Sequence, residues 1–170
     1  MAFDDELLGR ARDYAQRNSL VLGERLGFGI HGIVFEAKRQ PEAAKRNGRS
    51  AVKVHRFADG YHRERDVYLR LRELGVSSIR GCHVPQLLQH DDELLVIEMS
   101  MVSRPFLLDF GAAYLDTPLD FSEEVMTDWR EQKREEFGPR WPEVQAILAA
   151  LEMYGIFMED VNPGNISFGD

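Results

Sequence analysis

Residues 25–37 read "RLGFGIHGIVFEA", with glycines at 27, 29 and 32 followed by a β-branched and aromatic run. Glycines let a backbone approach phosphate oxygens and turn its amide hydrogens toward them, but the same letters also make an ordinary hairpin turn. The continuation narrows the choice. A Rossmann-type site needs a helix directly after the glycines, whereas Ile33, Val34 and Phe35 continue as a strand. A Walker loop needs a Gly-Lys-Ser or Gly-Lys-Thr ending, which is missing. Residues 19–39 therefore predict two apolar strands around a glycine-rich turn.

Downstream, "PEAAKRNG" (41–48) reads as a loop and "RSAVKVHRF" (49–57) as a third strand. Alternation along "SAVKV" puts Ala51 and Lys53 on one face and Val52 and Val54 on the other. A lysine between two valines either faces solvent or is held inside by a partner. Asp59 can cap a helix running to about Leu74, whose inward stripe is Tyr61, Glu64, Tyr68 and Leu71. Glu64 is the acid in an otherwise apolar stripe. Buried there it would be costly unless paired, and Lys53 is the economical partner; the alternative is that Glu64 flanks the stripe and stays wet. "VPQLLQHDDELLVIEM" (84–99) predicts a hairpin turning at Asp91–Asp92, and residues 3–18 predict a leading amphipathic helix.

After Met99 the pattern changes. "SMVSRP" (100–105) is connector-like and "FLLDFGAAYLDTPLD" (106–120) is ambiguous. Ser122 and two glutamates start a helix to about Phe137. Pro139 and Pro142 punctuate a second helix with an apolar stripe of Trp141, Val144, Ile147, Leu148, Leu151 and Tyr154. In "MEDVNPGNISFGD" (158–170), Pro163 and Gly164 force a turn between Asp160 and Asn165. Asp160 can accept a proton from a hydroxyl or orient it, and Asn165 offers a carbonyl oxygen to a magnesium ion. The same letters also make a turn whose side chains bond their own backbone.

With 170 residues the chain fits one domain or two small lobes, and its 44% hydrophobic and 29% charged content is that of an ordinary globular protein. No apolar run approaches the roughly 20 residues of a spanning helix, and "MAFDDELLGR" is acidic where a signal peptide is basic, so the reading is cytoplasmic, away from membranes. A single cysteine, Cys82, cannot form an internal disulfide. The net charge of −8 argues against nonspecific nucleic-acid binding; "AKRNGR" (44–49) and "YHRERDVYLRLR" (61–72) read as a solvated loop and a helix's outer face.

Together, "GFGIHGIV", "AVK", the helical Glu64, the strand "LLVIEM" and "DVNPGN" after a helix resemble the protein kinase-like superfamily in order and spacing, from about Leu20 to Phe168. The Asp-x-x-Pro-x-Asn form is similar to the aminoglycoside phosphotransferase-like branch. The resemblance implies an α+β, two-lobed fold. Residues 1–99 would carry a five-stranded antiparallel sheet plus helix, and residues 100–170 a reduced, mostly helical lobe with its catalytic loop at 158–165. It implies ATP with Mg2+ or Mn2+. Gly27, Gly29 and Gly32 would cover the phosphates, Val34 and Ala51 would pack on the adenine with Ile97 behind it, and backbone groups of Glu98, Met99 and Ser100 would bond its edge. Lys53 would hold the α- and β-phosphates, itself held by Glu64, with Asp160 as catalytic base and Asn165 as metal ligand.

The chain departs from the family at Met158–Glu159, where a His-Arg pair is usual, and after Asn165, where the family has a strand and then an Asp-Phe-Gly whose aspartate holds magnesium. Five residues follow Asn165 here, so the expectation is a lobe without an activation segment. Asp170 and Asp109 are candidate replacements, and Glu159 is also adjacent. Asp170, if extended, would lie about 16 Å from Asn165 at roughly 3.3 Å per residue and would have to fold back. Asp109, in "LLDFGAAY", has the right letters upstream, where family position implies a helix. The expected activity is phosphotransfer to a hydroxyl of a small molecule or one protein; the alternative is a nucleotide-binding pseudokinase serving as a regulatory module. A homo-oligomer or partner protein covering Trp129, Phe137 and Trp141 is a further expectation.

Overall fold

In the computed structural model, residues 2–40 and 48–169 are described. The chain is α+β and divides into two compact units, Met1–Arg65 with Gln86–Met101, and Asp66–Pro85 with Val102–Asp170. Where chain order suggested a break after residue 99, packing groups Asp66–Pro85 with the later residues.

The first unit is built on α1 (Ala2–Arg17), β1 (Leu20–Gly29), β2 (Gly32–Arg39), β3 (Arg49–His55), the first half of α2 (Ala58–Glu73), and later β6 (Leu87–Asp91) and β7 (Val96–Ser100). Its five strands form an antiparallel sheet in the order β1-β2-β3-β7-β6. Alternation sends Ile33, Phe35, Ala37, Val52, Val54 and Val96 to one face, where Leu7, Ala11, Tyr14 and Ala15 of α1 cover them. On this face Glu98 is buried but satisfied: it accepts from Tyr14 Oη at 2.9 Å and Ser50 Oγ at 2.8 Å, with Arg39 at 3.4 Å. Asp91 closes the β6–β7 turn by accepting from the amides of Glu93 and Leu94. Asp59 sits within the first turn of α2, which begins at Ala58, so it is not the cap the sequence predicts.

The second unit contains α3 (Glu123–Phe137), a single 3₁₀ turn (Gly138–Arg140) and α4 (Trp141–Glu152). Ser122 caps α3 by accepting from the Val125 amide. The unit is less purely helical than expected. β4 (Ser78–Ile79), β5 (Cys82–His83), β8 (Phe106–Leu107) and β11 (Ile166–Ser167) form a small sheet in the order β11-β8-β5-β4, and β9 (Ala113–Leu115) pairs with β10 (Ile156–Met158). Trp141 and Phe137 are buried and stack at 6.3 Å, with Trp129 edge-on to Trp141. Trp141 and Phe137 therefore belong to this unit's core, not to the surface proposed from sequence. Among the described residues no helix is long and apolar enough to cross a membrane.

Candidate functional site

On the sheet face away from α1, Val34 stands directly opposite Lys53, and Lys53 opposite Ile97, with Ala51 opposite Met99 in the adjacent row. Lys53 is 6% exposed and Glu64 1%, so neither stays wet, and Lys53 Nζ reaches Glu64 Oε2 at 2.7 Å. His55, two residues along the same face, places Nε2 2.6 Å from that same oxygen. The stripe is as the helical period predicts: Tyr61, Glu64, Tyr68 and Leu71 are all buried. Removing one partner from a buried ion pair costs about 3–5 kcal/mol, because it strands the other charge.

Burial pushes the Glu64 carboxyl up, but Lys53 and His55 more than reverse this and bring it down to about 2. A carboxyl depressed on folding contributes stability that is full above its unfolded value and is lost as pH falls through its folded one. Urea midpoints should therefore decline more steeply for wild type than for Glu64→Gln between about pH 4.5 and pH 2. Parallel curves would show that the pair does not couple to folding.

The glycines differ from one another. A Cβ on Gly32 would meet the Val54 carbonyl oxygen at 2.0 Å, so the β2–β3 approach requires this glycine. A Cβ on Gly29 would meet nothing within 4 Å, and one on Gly27 would make only an ordinary contact with Val34 at 3.8 Å. Packing does not demand glycine at these two positions. Glu98, Met99 and Ser100 lie in the ladder; the Ser100 amide donates to Gln86 O at 2.9 Å, and the chain leaves the sheet at Met101.

In the second unit, the turn after β10 is closed by a residue the sequence reading did not single out. Asn162 Oδ1 accepts from the amides of Gly164 and Asn165, and Asn162 Nδ2 donates to Asp160 Oδ1 at 2.9 Å. The signal was present as an Asn two residues before Gly164. Asn165 Nδ2 donates to the Asp160 carbonyl at 3.1 Å and to Asp160 Oδ2 at 3.3 Å. With its nitrogen so engaged, Asn165 Oδ1 carries no hydrogen bond among the described residues.

Asp109 is not on a helix. It lies in the loop between β8 and β9, at φ 59°, with Oδ1 accepting from the Gly111 amide. Both ends of this loop are tied to the Asp160 turn. The Leu108 amide donates to Asn165 O at 2.8 Å, and Ala112 O accepts from the Glu159 amide at 3.0 Å. The flanking strands continue the match, with Leu107 opposite Ile166 and Ala113 opposite Met158. Phe110 is fully buried, edge-on to Tyr68 of α2 at 5.3 Å. The Asp-Phe-Gly that comes early in the chain is thus strapped alongside Asp160–Asn165, while Asp170 lies outside the described residues.

Among the described residues, no cluster of three or more His, Cys, Asp or Glu side chains forms a metal site by itself. A cation here would need oxygens from elsewhere. Magnesium commonly takes one or two protein ligands and completes its shell with water and substrate phosphates, so the free Asn165 Oδ1 and the tethered Asp109 carboxylate fit that sparse donor set. No protein-family model matches the chain, and no curated protein matches it.

Proposed function

We propose that the chain is an ATP-dependent phosphotransferase of two-lobed, protein kinase-like architecture that transfers the γ-phosphoryl group to a hydroxyl of a small molecule or a specific protein. The observation that carries this reading is the double backbone tether that holds the loop carrying Asp109 alongside the turn of Glu159 to Asn165, so that Asp109 could supply the carboxylate that the order of the sequence left missing. Lys53, buried and paired with Glu64, would hold the α- and β-phosphates, and Gly27 and Gly29, at positions where packing does not demand glycine, would cover them. Val34, Ala51 and Ile97 would face the adenine, and Met101 onward, leaving the sheet, offers backbone groups beyond those of Glu98 to Ser100. Asp160 would take the proton as the acceptor oxygen bonds the γ-phosphorus and the bond to the β-phosphate oxygen breaks, releasing ADP. Asp109 and Asn165 would hold magnesium, which supplies charge neutralisation on the phosphates. A cytoplasmic setting, where ATP is abundant, goes with this reading.

One observation favours nucleotide binding without transfer. Both Asp160 carboxylate oxygens already accept from side-chain amides, of Asn162 and Asn165, and Met158–Glu159 lack the usual supporting pair. A thermal melt tests the common ground. At a hundred times its dissociation constant a ligand adds about 2.7 kcal/mol, so magnesium-ATP should raise the wild-type midpoint and leave Lys53→Ala unmoved. No rise in wild type at millimolar ATP would sink both readings. A rise in wild type and in Asp160→Ala, with hydrolysis absent from both, would favour the binding module.

A further inference from the structure

Glu64 has an uneven set of partners. Lys53 and His55 both sit on Oε2, at 2.7 and 2.6 Å, while Oε1 is buried without a partner. His55 is itself fully buried, its ring edge-on to Tyr61 at 5.4 Å. Its Nδ1 lies 3.3 Å from the Leu95 carbonyl oxygen, which also accepts the His55 backbone amide at 2.9 Å. Both ring nitrogens therefore face oxygen acceptors, and the ring is held from three sides.

This arrangement bears on how Lys53 works. In a two-member buried pair, a lysine that turns toward another anion leaves its carboxylate stranded, and the carboxylate pulls it back. With His55 on the same oxygen, Glu64 keeps a short hydrogen bond whichever way the lysine turns. The histidine is fixed by the sheet and by Tyr61, so it can hold the carboxylate without following the lysine.

We propose that His55 is a positioning residue that anchors Glu64, freeing the Lys53 ammonium to be shared with the phosphates of a bound nucleotide. The nucleotide half of this rests on the phosphotransferase reading; the anchor does not.

Two measurements decide it. In the first, urea midpoints of Lys53→Ala, His55→Leu and the double variant are compared without nucleotide. If each partner of Glu64 backs up the other, the double variant loses more than the sum of the single shifts; an additive or smaller loss overturns the anchor. Should the double variant fail to fold, adding Glu64→Gln must restore it, since it removes the buried charge that lost its partners, and failure to restore counts against the anchor. In the second, ATP and adenosine affinities are compared. His55→Leu should weaken ATP about tenfold, the scale of one charge-assisted hydrogen bond, with adenosine unchanged and His55→Gln recovering most of the loss. Parallel weakening of adenosine would mark a merely structural role and overturn the proposal. If wild type binds neither compound, the nucleotide half falls with the phosphotransferase reading, and the urea cycle still decides the anchor.

Discussion

In Asp109→Asn, the extra thermal stabilisation that magnesium adds to ATP should vanish, and any slow ATP hydrolysis should fall by about two to three orders of magnitude, the scale of losing one charge-stabilising group. The fold should not change. Asparagine keeps an Oδ1 to accept the Gly111 amide and tolerates the left-handed φ of 59° better than other replacements. It also leaves the tethers from Leu108 to Asn165 and from Glu159 to Ala112 in place, since these are backbone bonds. The ligand-free midpoint is therefore the internal control. An unchanged magnesium increment in the variant would remove Asp109 from the site and return the search to other carboxylates.

Gly32→Ala should be the most damaging of the glycine-loop substitutions. Its Cβ would lie 2.0 Å from a carbonyl oxygen of β3, which cannot swing aside as a flexible side chain would, and φ of 151° adds to the cost. We expect a loss of about 4 kcal/mol or more, or roughly 10 °C in midpoint for a chain of this size. Gly29→Ala should melt within about 0.5 kcal/mol of wild type, because open space surrounds the added methyl. It should nonetheless weaken ATP, if phosphates use that space. Equal stability losses at both positions would mean that the loop serves the fold alone.

The first unit was legible because its signals are local. The 3.6-residue stripe of α2 and the alternation of "SAVKV" together pointed to Lys53 and Glu64 as partners, and the pair forms. The same alternation carried one step further would have put His55 beside them, since buried strand residues two apart share a face. Tyr14 likewise lies on the buried face of α1, but nothing in its spacing names Glu98 as its partner. The stretch 106–120 was illegible for a different reason. β8 and β9 have two and three residues, too few to show a period, and their partners lie far along the chain at β11 and β10. Asp109 owes its position to those distant pairings, so motif order alone misplaced it on a helix.

The α3–α4 segment leaves and returns at one point. The Asp116 amide donates to Gly155 O at 2.7 Å, just outside the Leu115–Ile156 pair, and Arg70 clips the junction through Asp116 and the Tyr154 carbonyl. Gly155 is required there, because a Cβ would meet Asp116 Oδ1 at 2.2 Å. Residues 116–155 thus form an excursion whose two ends are clasped together, while its α4 face is seated on β4 and β10 and Arg140 lies over the Phe168 ring. The loops of such an insert can be lengthened at modest loop-closure cost without changing the strand register on either side of Asp109 and Asp160, as long as the α4 face keeps its seat. Evolution, or an engineer, can vary the length and outer face of this arm while its seated α4 face stays fixed.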